Sequence, residues 1–150
     1  MLSWRDELSV GHPGIDADHK HLIDIINHFE ELVQAWPGEK VMHEVLLELQ
    51  DYTVSHFRRE EDLQRACGYP FHTEHATEHG DLLDHVTDLA KRYFIRRSMP
   101  VTQDSLSELA KFLREWLVNH IIKSDLRMKP YIQATPAGRL PHLGSKRPGK

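Results

Sequence analysis

The sequence predicts an all-α protein, an up-down-up-down antiparallel four-helix bundle with an N-terminal arm and a flexible C-terminal tail. Three observations carry this expectation. Apolar residues recur every three or four positions along four long stretches, the spacing that lines one face of a helix. Proline or glycine interrupts the chain between them, at Pro37-Gly38, from Gly68 to Pro70, and at Met99-Pro100. The period-two alternation of a half-buried strand is missing throughout, and amphipathic helices with short connections pack most economically as an antiparallel bundle.

Residues 1–15 read as an irregular arm, because Gly11, Pro13 and Gly14 oppose regular structure. Asp16 or Asp18 is placed to cap the first helix, whose stripe is Ile15, His19, Leu22, Ile26, Phe29 and Val33. The second helix is expected from Glu39 to Ala66, with Met42, Val45, Leu49, Tyr52, His56, Glu60 and Leu63 in register. A third runs from Phe71 to Arg97 on His75, His79, Leu82, Val86, Leu89 and Tyr93. Thr102 or Asp104 caps the fourth, whose stripe is Leu106, Leu109, Leu113, Trp116 and His120, extending to Met128 ahead of Pro130. These elements make one bundle domain over residues 1–130. Residues 131–150, rich in Pro, Gly, Lys and Arg, are expected to form a disordered tail.

Composition narrows the function classes. The net charge of −4 offers no electrostatic case for nucleic acid. No apolar run approaches the roughly 20 residues needed to span a bilayer, and the acidic start MLSWRDELSVG does not read as a secretory signal. Cys67 is the only cysteine, which rules out an internal disulfide and suits a cytoplasmic location. A monomer or weak homo-oligomer is expected, with no protein partner legible.

The chain has 12 histidines, and their positions matter more than their number. His56 and Glu60 are four apart, as are His75 and His79 across the Gly-Tyr-Pro break, so each pair projects from one helical face. His19 and His120 lie on the stripes of the other two helices. A buried imidazole without a partner costs about 1–3 kcal/mol, so five of them on four core faces call for a shared purpose. His19, His75 and His79 come early in their helices, whereas His56, Glu60 and His120 come late. An antiparallel bundle brings all six to one end. Six or seven N/O donors exceed the four of tetrahedral zinc, and two adjacent ions sharing carboxylates would use them all, with iron the expected metal.

The run IDADHKHLI, then HFRREE, YPFHTEHATEH and WLVNHIIKSD, resembles the bacterial hemerythrin family. That pattern is one His, then HxxxE, HxxxH and HxxxxD, and it spans residues 4–128. The resemblance implies a four-helix bundle in which His75, His79 and His120 bind one iron and His19 and His56 the other. Glu60 and Asp125 would bridge them, with a bridging oxygen completing an Fe–O–Fe centre. It implies reversible O2 binding at an open position on the two-histidine iron, in a carrier, store or sensor rather than an enzyme. The competing expectation is a di-iron oxidoreductase acting on peroxide or nitric oxide.

Asp125 follows His120 by five residues, about 140° round an ideal helix. Either its side chain reaches round or the helix widens through a π-bulge. Gln64 occupies a position that is methionine in many family members, and it faces either solvent or the oxygen pocket. His12 and Asp18 take the places of a frequent Asn and Gln near the mouth of the site. His72, three residues before His75, is a candidate peripheral contact, while His21, His28, His43, His85 and His142 read as surface residues. Trp4, Phe57, Leu63, Trp116 and Ile121 are candidates for an apolar wall. The di-iron oxidase motif, Glu three residues before His, is absent, as is HExxH.

Overall fold

The structure, a computed structural model, describes residues 1–142. Four long helices form the bundle: α1 (Pro13–Ala35), α2 (Glu39–Ala66), α3 (His72–Phe94) and α4 (Gln103–Lys123). A short α5 (Lys129–Gln133) and 3-10 turns at Asp6–Leu8, Asp125–Met128 and Ala137–Arg139 complete it, with no strand among the described residues. α1 packs against both α2 and α4, and α2 packs against α3. No described helix is long and apolar enough to cross a membrane.

Local chemistry sets the helix ends. The pattern puts the start of α1 at Asp16 or Asp18, but the helix begins at Pro13. Proline suits the first helical position because its missing N–H would have no partner there, and His12 Nδ1 accepts the Ile15 N–H at 3.3 Å as the cap. Asp16 instead ties down the arm, accepting from Ser9 Oγ at 2.5 Å and the Val10 N–H at 2.9 Å. Trp36 closes α1 in the left-handed region (φ 48°) before Pro37. α2 keeps its expected bounds, and α3 is shorter than expected at both ends. At α4 the Thr102 hydroxyl accepts the Ser105 N–H while Ser105 Oγ accepts from the Thr102 N–H, a reciprocal cap.

The bundle core runs through Phe29, Leu46, Leu49, Leu106 and Leu113, all drawn from or beside the expected stripes. A second apolar cluster, made of Val10, Ile15, Leu63, Tyr69, Met128 and Ile132, closes the end of the bundle where α2 finishes. Tyr131 and Leu140 pack against it. This corrects the expectation of a disordered tail from residue 131. The segment carries few apolar residues, but Tyr131, Ile132 and Leu140 are spaced to reach one patch, and His12 Nε2 holds the Pro141 carbonyl at 3.0 Å. The rest of that expected tail, residues 143–150, lies outside the described residues.

Ile132 is buried in this cluster, so Ile132→Ala should cost about 2 kcal/mol or more. Urea unfolding measures it; a midpoint equal to the parent would mean that the segment contributes no packing.

Candidate metal centre

The seven side chains singled out in the sequence meet at one buried point. His19 comes from the second turn of α1, His56 and Glu60 from the late part of α2, and His75 and His79 from the first two turns of α3. His120 comes from the last turn of α4. Asp125 arrives by neither expected route. α4 stops at Lys123, and Asp125 opens the following 3-10 turn, which turns its carboxylate fully into the core. The backbone leaves ideal helix geometry at Ser124 (φ −119°, ψ −56°), so the rotation of a regular helix does not govern where Asp125 points.

The two carboxylates divide their oxygens between two sets of imidazoles. Glu60 Oε1 lies 2.9 Å from His79 Nε2 and 3.3 Å from His75 Nε2, and Asp125 Oδ1 lies 3.0 Å from His75 Nε2 and 2.9 Å from His120 Nε2. Their other oxygens face the remaining pair. Glu60 Oε2 is 3.4 Å from His56 Nε2 and 3.5 Å from His19 Nε2, and Asp125 Oδ2 is 3.0 Å from His19 Nε2. One cluster of possible donors is thus Glu60, His75, His79, His120 and Asp125, and the other is His19, His56, Glu60 and Asp125, each within 4.8 Å.

These contacts are close but poorly directed. Among the described residues, His19 Nε2, His120 Nε2, Glu60 Oε2 and Asp125 Oδ2 are buried without a hydrogen-bond partner. Orphaned buried polar atoms are costly, and all four aim at the shared interior of the two clusters. A pair of cations there would satisfy them, so the donor set fits a dinuclear metal centre.

Electrostatics agree. Burial alone would depress the histidines, yet the carboxylates of Asp125 and Glu60 close beside them raise both His19 and His75 to about 9. Despite burial, His56 is raised by Glu60 and Asp18 and His120 by Asp125, Glu78 and Glu60, and against the same penalty Glu60 and Asp125 are held well below their ordinary range by surrounding imidazoles. Without metal, protons take the cations' place, and metal binding must release them.

Outer partners orient the rings through Nδ1. His56 Nδ1 lies 2.9 Å from Asp18 Oδ2, His79 Nδ1 lies 2.8 Å from Glu61 Oε2, and His120 Nδ1 lies 2.7 Å from Glu78 Oε2. Asp18 also takes a two-pronged contact from Arg59 (2.8 and 2.9 Å) and the Tyr52 hydroxyl at 2.8 Å. Burial works to raise its pKa, but these bonds bring it down to about 2. Ser124 Oγ donates to Glu78, and Phe57 stacks on His79 with ring centroids 3.8 Å apart.

Several sequence expectations need amendment. His12 caps α1 and ties the C-terminal segment, while Asp18 is the partner of His56. Gln64 is fully buried beside His75 and so does not face solvent, and His72 contacts it. Glu61 and Glu78 were not legible as partners. Both adjoin predicted ligands in sequence, but each serves a histidine on another helix, and spacing within one helix cannot show that.

A family model described as the hemerythrin HHE cation binding domain matches residues 11–132. A bacteriohemerythrin from Stenotrophomonas maltophilia is 32% identical over 134 residues, covering 89% of this chain and 83% of that protein. One from Pseudomonas aeruginosa is 35% identical over 124 residues, covering 83% and 76%. A crystal structure of wild-type hemerythrin superposes with a TM-score of 0.77 at 30% identity, covering 89% of this chain and 99% of its own.

Chelator-treated, metal-free protein should show a pH dependence set by His19 and His75. Their folded-state values near 9 lie above the ordinary 6.5. Their contribution is therefore complete below about pH 6.5 and is lost as pH rises through about 9. Thermal melts across that window check this; a midpoint that rises with pH there would contradict it.

Proposed function

The chain belongs to the hemerythrin family, and from that premise we propose that it binds O2 reversibly at a non-haem di-iron centre. His75, His79 and His120 would hold one iron, His19 and His56 the other, and Glu60 and Asp125 would bridge the two. The division of each carboxylate's oxygens between the two histidine sets supports the bridging roles. The all N/O donor set suits iron, and the half-buried thiol of Cys67 contacts the Gln64 carbonyl instead of the cluster.

One observation carries the oxygen-binding reading. The His19–His56 side has one donor fewer than the other, and His56 borders a small apolar cavity of about 10 Å3. Leu22, Phe57, Leu82, Trp116, Leu117 and His120 complete its walls. Of the expected wall residues, Phe57 and Trp116 line the cavity. Leu63 and Ile121 pack in the two apolar clusters, and Trp4 lies under the Lys20 ammonium.

When bound, a pair of irons in this set supplies two electrons and one open coordination position for O2. The protein supplies the surroundings. Leu22, Phe57 and Leu117 wall the cavity beside His56 with apolar surface, which would exclude water and limit proton access to the site. Asp18, anchored by Arg59 and Tyr52, fixes the His56 ring and raises its basicity. The small apolar cavity beside His56 suits a ligand the size of O2 better than an organic substrate, in keeping with carriage, storage or sensing. The lone cysteine supports a cytoplasmic setting.

His56→Ala removes a donor from the open side. Reconstituted anaerobically with Fe(II) and then exposed to air, the parent should bind two irons and cycle its oxygenated absorption bands repeatedly. The variant should lose that cycling. Retention of full iron content and reversible oxygenation in His56→Ala would overturn the assignment, and bands in the parent that bleach once during substrate turnover would favour the enzyme.

A further inference from the structure

Four of the five histidines in the centre are held from outside through Nδ1, and three of those partners are carboxylates. The fourth is not. His75 Nδ1 lies 2.7 Å from the side-chain amide of Gln64, which is fully buried and also touches Met128 Sδ at 3.1 Å. The other end of the amide lies 3.0 Å from Nδ1 of half-buried His72. His75 thus ends a chain, His75–Gln64–His72, that runs outward from the centre.

A histidine that gives Nε2 to a metal keeps its proton on Nδ1. Gln64 must then turn its carbonyl oxygen to His75, a flip that keeps the contacts to His75 and His72 with donor and acceptor exchanged and gives up the N–H donated to Met128 Sδ. Turned this way, its NH2 donates to His72 Nδ1. The partner of His75 is therefore a neutral acceptor, whereas those of His56, His79 and His120 are anions. An anion draws the ring proton more strongly and makes the imidazole a better donor to metal.

We propose that Gln64, held in place by His72, is a positioning residue for His75 that keeps this ligand a weaker donor than the three backed by carboxylates. The proposal rests on the dinuclear reading above. Its consequence is that Gln64 sets how tightly metal is held on the three-histidine side, and the reduction potential there. The polarity of the amide, more than its volume, is what matters.

The test uses the full chain, stripped with chelator and reloaded anaerobically with Fe(II). Titration calorimetry reads both binding equivalents, and a redox titration reads the midpoint potential. Gln64→Leu leaves the His75 proton unpartnered, so one equivalent should weaken about 10–100-fold and the potential should rise. Gln64→Glu should keep both equivalents and lower the potential. His72→Ala, a change nearer the surface, should move both readings as Gln64→Leu does but less far, and it decides the matter with Gln64→Glu should the leucine variant not fold. Shifts of the same sign in Gln64→Glu and Gln64→Leu would reveal a packing role and overturn the proposal, as would variants indistinguishable from the parent. A parent that fails to take up two equivalents sinks the dinuclear reading itself, and this proposal with it.

Discussion

The structure depends on the desolvation of two carboxylates among five imidazoles at one end of a helical bundle. Such a convergence is costly in an apolar interior unless something neutralises it. Glu60 and Asp125 are fully buried, and among the described residues one oxygen of each, with Nε2 of His19 and His120, has no hydrogen-bond partner. The surrounding features serve this point. The caps at His12 and Thr102 fix where the helices begin, and the Val10–Ile132 cluster closes the end beyond the site. The apolar residues from Leu22 to Leu117 keep the other side dry.

The outer partners give the centre an uneven electronic character. The imidazole of His56 leans on an Asp18 carboxylate that is itself clamped by Arg59 and Tyr52, so that group is rigid and anionic. His79 and His120 lean on Glu61 and Glu78, which are partly exposed. His19 Nδ1 is buried with no partner among the described residues. Identical side chains within one cluster therefore differ in basicity, and the difference lies in residues outside the cluster.

Much of this was legible in the sequence because it depends on period. A spacing of four places His56 with Glu60 and His75 with His79, and early or late placement in antiparallel helices brings them level. What stayed hidden depends on relations that period cannot express. The cap by His12 uses a residue type that rarely caps, so the nearby aspartates drew the assignment. Asp125 enters through a change of helix type, which an ideal 100° rotation misplaces. Glu61 and Glu78 act across helices, where the relative rotation of two elements decides the pairing. The packing of Tyr131, Ile132 and Leu140 rests on three apolar residues in a polar stretch, too few to signal a buried segment by composition.

The placement of Asp125 on a turn beyond α4 has a consequence for biogenesis. Synthesis runs from the N-terminus, so His19 leaves the ribosome first and His56 and Glu60 follow, three side chains of the cluster without the rest. His75 and His79 follow, then His120, and the last donor emerges only with the polypeptide that also seals the bundle end. A site that needs all seven side chains is thus complete only once the segment beyond α4 has been made.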